Sequence, residues 1–189
     1  MDTELTDWQS KKLLRLFDLF DNDGDEIVDE AEFQGALERL QFASGWPESS
    51  RVLSHTTGRW KVFSKQLFQN SPLLTSEKWL ETSRIFLAKD RQARASENTH
   101  RGTLEELAQL LFLLLDRDRN SLIDYSEFLL FYYAIGLKDQ DAESSFEKFD
   151  TDRDGSISKT EMEDMILEFF HGAEPGRHGD WLFGPPPKG

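Results

Sequence analysis

The chain of 189 residues contains no cysteine, which excludes disulfides, zinc–thiolate sites and thiol catalysis. Histidine is scarce. His55, His100 and His178 lie in polar surroundings without ligand spacing to one another, so no zinc or hydrolase site is expected. Long apolar runs are also missing: the longest, such as residues 110–115, are of core size and far short of the roughly 20 residues of a membrane span. The opening MDTELTDWQSKKLLRLFDLF lacks a basic head followed by an unbroken apolar stretch and does not read as a secretory signal. Basic residues are outnumbered 22 to 36, for a net charge of −14, and repulsion of that size disfavours nucleic acid and anionic lipid. There is no Gly-rich phosphate loop and no acid–base constellation outside the acidic segments described next. The expectation is a monomeric, non-enzymatic protein of the cytoplasm.

What is present is apolar bulk and organised acid. Hydrophobic residues make up 38% of the chain, with fifteen Phe and five Trp, enough to fill a core without covalent staples. The carboxylates recur in three twelve-residue windows: DNDGDEIVDEAE from Asp21 to Glu32, DRDRNSLIDYSE from Asp116 to Glu127, and DTDRDGSISKTE from Asp150 to Glu161. Positions 1, 3 and 5 carry Asp21, Asp23 and Asp25; Asp116, Asp118 and Asn120; and Asp150, Asp152 and Asp154. Position 8 is β-branched in each (Val28, Ile123, Ile157), and position 12 is Glu32, Glu127 or Glu161. This spacing suits a hard cation that takes six to eight oxygens at about 2.3–2.6 Å, namely Ca²⁺, with Mg²⁺ as a competitor. Alternate side chains converge on the ion, position 7 (Ile27, Leu122, Ser156) offers its backbone carbonyl, position 9 (Asp29, Asp124, Ser158) adds an oxygen, and the final Glu closes the shell. Asp29-x-x-Glu32, Asp124-x-x-Glu127 and Ser158-x-x-Glu161 would equally serve as helix capping boxes without metal, but three windows in one register favour ligation, and the two roles are compatible.

The flanks carry apolar residues at helical spacing: Leu13, Phe17 and Phe20 before the first window and Phe33, Leu37 and Leu40 after it; Leu111, Phe112 and Leu115, then Phe128, Phe131 and Ile135; Phe146 and Phe149, then Met162, Met165 and Phe169. Each unit therefore reads helix–loop–helix, with the position-8 residues placed to pair as short β-bridges.

These residues resemble the EF-hand superfamily. Only the last loop has the expected glycine at position 6, Gly155; the others have Glu26 and Ser121, where left-handed backbone costs a residue with a side chain about 1 kcal/mol relative to Gly. The last loop is thus expected to be the least strained, while the five carboxylates of the first, against four in each of the others, favour that loop by charge. The resemblance implies pairs of hands. The last two loops form one pair, and the first finds its partner in LFQNSPLLTSEKWLE, with Leu74 at the bridge and Trp79 opening the next helix. That segment has Leu67, Gln69 and Ser71 at the ligand positions and Lys78 in place of the closing Glu, so it is read as a silent hand.

The order active, silent, active, active resembles sarcoplasmic calcium-binding proteins and calerythrin, as does the closing stretch FFHGAEPGRHGDWLFG. The resemblance implies an all-α, compact, two-lobed protein of four EF-hands. Residues 1–88 would form the first lobe and 89–189 the second lobe with its tail, a charged stretch at 89–103 joining the lobes or capping a helix. Pro185, Pro186 and Pro187 are expected to leave the terminus loose. Three roles stay open. The first is a calcium buffer or transporter, favoured because only three Met are present whereas sensors open Met-rich grooves, and because Trp181-Leu182-Phe183 is placed to fold back over an apolar groove. The second is a sensor acting on a protein target. The third follows from a resemblance to calcium-triggered photoproteins, which hold an organic ligand in a cavity lined by His, Trp and Tyr. His171, Trp46, Trp60, Trp79 and Trp181 would be candidates, but the third hand continues EFLLFYYAIGL without the expected Trp, and His171 reads first as a surface or capping residue.

Overall fold

The computed structural model describes residues 4–95 and 102–187. His100 and part of the stretch at 89–103 lie outside the described residues. Four helix–loop–helix units follow one another: α1 (Asp7–Phe20), β1 (Ile27–Asp29) and α2 (Glu30–Ser44); α3 (Arg51–Leu67), β2 (Leu73–Thr75) and α4 (Ser76–Ala95); α5 (Thr103–Leu115), β3 (Leu122–Ile123) and α6 (Tyr125–Ala134); α7 (Asp139–Phe149), β4 (Ile157–Ser158) and α8 (Lys159–His171). A 3-10 turn at His178–Trp181 closes the order.

Local chemistry sets the helix ends. Thr6 and Gln9 form a reciprocal capping box on α1, and α2 stops at Gly45, whose φ of 67° is left-handed backbone that glycine adopts without steric penalty. The strands are the loop bridges. β1 pairs antiparallel with β2, placing Val28 opposite Leu74, and β3 with β4, placing Ile123 opposite Ile157. All four of these side chains are fully buried.

The second unit has the helix–loop–helix form expected of the segment read as a silent hand, with Leu74 at its bridge. Trp79, in the first turn of α4, donates its indole N–H to the Leu13 carbonyl at 2.8 Å and packs edge-on against Phe17, fixing α4 on α1. Helix α4 runs on to Ala95, past the lobe boundary expected at 88, because Leu87 and Asp90 still face inward. Nor are the lobes separate cores: α2 packs on α6, α3 on α5 and α1 on α8, and one contiguous apolar cluster joins both halves.

Two buried polar links seal this arrangement. Asp90 near the end of α4 accepts the Leu104 N–H at 3.0 Å, capping α5, and lies 2.9 Å from His171 Nε2 at the end of α8. Burial alone would raise the Asp90 carboxyl, but the bonds from His171 and Leu104 hold it below its ordinary value of 3.8. A carboxylate lowered in the folded state contributes stability that is fully present above its unfolded pKa and is lost as pH falls through the folded one. Between pH 4 and 2, the unfolding free energy of the wild type is therefore expected to fall more steeply than that of Asp90→Asn; parallel curves would disprove the link.

The second link holds the tail. Asp180 in the 3-10 turn pairs with Lys12 of α1 at 3.0 Å, both side chains only 1% exposed. Asp180 also accepts the Trp8 indole N–H at 3.1 Å and the N–H groups of Gly176 and Arg177 at 2.9 and 3.1 Å. Gly179 sits so close to α8 that a Cβ would fall 2.6 Å from the Met165 carbonyl oxygen. Leu182 is fully buried, and the Phe183 ring meets Phe169 and Phe131 at centroid distances of 4.9 and 6.2 Å. The tail thus folds back as expected, but through Leu182 and Phe183; Trp181 stays half-buried with Lys148 over its ring. Pro185 to Pro187 are likewise half-buried and do not project as a loose end.

Candidate metal centres

Each acidic window is a tight loop between two helices, and the same hydrogen bonds recur in all three. The closing Glu accepts the N–H of position 2 through Oε1, at 2.8 Å in every loop (Asn22, Arg117, Thr151). Its Oε2 accepts the N–H of position 9, at 3.1 Å from Asp29, 3.2 Å from Asp124 and 2.8 Å from Ser158. The first Asp accepts the N–H of position 6, from Glu26, Ser121 and Gly155 at 3.0, 3.3 and 3.0 Å. Position 3 accepts from position 5, and position 5 from position 7, in each loop. Backbone donors therefore aim the side-chain oxygens inward.

The result is three clusters of like charge. Carboxylate oxygens of Asp21, Asp23 and Asp25 lie within 4.8 Å of one another, as do those of Asp116, Asp118 and Glu127, and those of Asp150, Asp152 and Glu161. Glu32 and Asp154 stand outside these tightest sets but keep the loop bonds just described. Asp116 Oδ1 is buried without a hydrogen-bond partner, a state that is costly for a carboxylate unless a cation meets it. Glu161 shows a balance of effects: burial would raise its carboxyl, but bonds from Ser158 and Thr151 bring it below the ordinary value and keep it ionised for a cation. At position 9, Asp29, Asp124 and Ser158 turn to cap the next helix, accepting the N–H of the closing Glu at 2.9, 2.9 and 3.3 Å. Capping and metal geometry coexist, and a side chain in this position reaches an ion through water.

The backbone adds a feature the sequence reading missed. Position 6 is left-handed as expected, with φ of 66° at Glu26, 68° at Ser121 and 89° at Gly155. Position 4 is left-handed too: Gly24 at 75°, Arg119 at 61° and Arg153 at 62°. The first and last loops thus each hold one strained side-chain-bearing residue and the middle loop two, so the last loop is not alone in being least strained. A glycine at position 4 of the first window was the one available signal.

In the silent hand, Lys78 at position 12 donates its ammonium to Ser71 Oγ at position 5, 3.1 Å away. An exposed ammonium thus bridges the two positions that supply side-chain oxygens (Asp or Asn, and Glu) in the other loops.

Comparison with known proteins agrees with this geometry. Residues 100–167 match the family model described as an EF-hand domain pair. No curated protein sequence gives a significant match. Among solved structures, calcium-loaded apo-aequorin from Aequorea victoria is similar at TM-score 0.74 and 17% identity, over 89% of this chain and 93% of that one. The light-sensitive photoprotein berovin from the ctenophore Beroe abyssicola, in its calcium-loaded apoprotein state, gives 0.73 at 24% identity over 84% and 86%. A calcium-binding protein from Streptomyces coelicolor gives 0.68 at 19% identity over 86% and 97%. Residues 100–167 are thus an EF-hand pair, the chain as a whole has a compact all-α fold shared with calcium-binding proteins of known structure, and Ca²⁺ is the ion that its three acidic loops suit.

A cavity of about 70 Å³ lies where the lobes meet, bounded by residues that include Leu16, Trp60, Trp79, Phe131, Phe170 and Phe183. Among the described residues Ser83 is its one polar lining residue, and neither His nor Tyr reaches it. His171, the photoprotein candidate, is instead engaged by Asp90 and by Arg91, whose Nε donates to Nδ1 at 3.3 Å. Trp46 and Trp181 also lie away from this cavity. Among the described residues no helix is long and apolar enough to cross a membrane.

Proposed function

We propose that this protein is an intracellular calcium buffer or transporter, a monomer that takes up three Ca²⁺ through positions 1, 3, 5, 7, 9 and 12 of the loops at Asp21–Glu32, Asp116–Glu127 and Asp150–Glu161. One observation favours a buffer over a sensor. The apolar interior between the lobes is covered by the chain's own tail, with Leu182 fully buried and Phe183 against Phe131 and Phe169, and the Lys12–Asp180 pair fastens that tail. A sensor of this superfamily exposes an apolar groove on binding calcium; here the occupant is already in place. The net charge of −14 keeps copies apart. All three calcium-binding loops of berovin bind magnesium, which supports Mg²⁺ as a competitor here.

Titration calorimetry is expected to count three calcium ions per chain; one stoichiometric site would refute the ligand assignment. A hydrophobic dye added with calcium or with chelator is expected to give nearly equal fluorescence. A strong calcium-dependent rise would identify a sensor that releases its tail for a protein target.

The presence of a central cavity raises one further reading, a holder of an organic luciferin like the photoproteins this fold resembles, and the character of that cavity weighs against it. Its volume and its lining without His or Tyr supply little of the polar contact such a ligand needs. Light on adding calcium after incubation with coelenterazine would establish that role.

A further inference from the structure

The middle loop is unusual in carrying two arginines among its ligands, Arg117 at position 2 and Arg119 at position 4. A guanidinium is a rigid fork that pairs with carboxylates in two-toothed fashion. Either arginine, folded inward, would compete with a cation for Asp116, Asp118 and Glu127. Among the described residues neither forms an ion pair with them. Both lean instead on the corner that follows α2. The Arg119 guanidinium carbon lies 4.6 Å from the centroid of the Trp46 ring, within reach of a cation–π attraction. Arg117 lies over Gly45, where a Cβ would come within 3.0 Å of its Nη2. The depression between these elements has Gly45, Trp46 and Pro47 on one wall and Asp118, Asp124 and Glu127 on the other. The Arg39 guanidinium, donating to the Ala134 carbonyl at 2.9 Å, holds α2 against α6 and so keeps the corner in register with the loop.

From this arrangement we infer that Trp46 is a positioning residue for calcium at the Asp116–Glu127 loop. The first half of the chain supplies a platform that keeps the loop's two arginines off its ligand carboxylates. Occupancy of this site is thereby coupled to the contact between the halves. The inference rests on the calcium reading of the loops and adds a residue outside them that sets one site's affinity.

The test is a calorimetric cycle on the full chain. Trp46→Ala is expected to weaken one of the three sites by about two- to fivefold, the scale of an exposed cation–π contact, and to leave the other two unchanged. Trp46→Phe, which keeps an aromatic face, retains most of the affinity. Arg119→Ala in the Trp46→Ala background restores it, because the competitor is gone. In a Glu127→Gln background, where the middle site is removed, Trp46→Ala has no effect on calcium binding. If the weakening persists without Arg119, or appears at another site, Trp46 acts only through packing and the inference fails. Wild-type affinity in Trp46→Ala would overturn it as well. Failure of the wild type to bind three ions would instead strike the calcium assignment itself, so the two failures are distinguishable.

Discussion

Saturating calcium raises the melting temperature by on the order of tens of degrees over the value in chelator. A ligand that binds only the folded state at a thousand times its Kd contributes about 4 kcal/mol, so three such sites sum to about 12 kcal/mol, and each kcal/mol is worth roughly 2–4 °C in a chain of this size. Electrostatics act in the same direction. The ions add six charges and bring the net charge from −14 to −8, relieving the repulsion concentrated in the three clusters, where carboxylate oxygens stand within 4.8 Å. Scanning calorimetry in calcium and in chelator makes the comparison. An unchanged melting temperature would show that the loop scaffold is a set of helix caps and nothing more. Replacing Glu32, Glu127 and Glu161 together by alanine is expected to abolish the shift.

The second large effect lies in the tail. Asp180→Ala leaves the Lys12 ammonium buried with, among the described residues, only the Glu168 carbonyl oxygen, at 3.4 Å, within bonding reach. Removing one partner of a buried pair costs about 3–5 kcal/mol. Lys12→Met is expected to cost less, because Asp180 keeps three N–H donors, from Trp8, Gly176 and Arg177. Burial already pulls the Lys12 pKa down against the opposing pull of Asp180, so the lysine is the partner less content without its neighbour. Urea unfolding of the two variants measures the asymmetry. Equal losses, or a loss under about 1 kcal/mol for Asp180→Ala, would show that the pair is solvated and does not fasten the tail.

The difference between these two predictions tracks what the sequence could reveal. The loops are local: twelve consecutive residues carry the ligand order, the bridge residue and the closing Glu, so Asp21, Asp116 and Asp150 could be placed before any coordinates. The silent hand was legible for the same reason, since Leu74 and Trp79 keep their places in a pattern whose ligands are gone. The Lys12–Asp180 pair spans the length of the chain, and neither residue stands out in its own segment; Lys12 looks like one of two solvated lysines in a row. The reach of α4 to Ala95 was not legible because its last turns are mostly polar, and Asp90, which faces inward, reads as surface charge until Leu104 and His171 are seen around it. Left-handed backbone at Arg119 and Arg153 has no mark in the side chains. Trp46 drew notice as an aromatic, but its neighbours Arg119 and Arg117 come from the other half of the fold.

The lysine of the silent hand gives the first pair of hands an unequal character. With an ammonium on Ser71 and no carboxylate at its ligand positions, that loop has nothing to gather around an ion, and β2 pairs with β1 without one. The first site is therefore expected to fill along a simple hyperbola, beside a loop that takes up no ion, while the last two sites are joined by β3 and β4 and are expected to influence one another. A single chain would thus combine one graded response with one that is free to be steep.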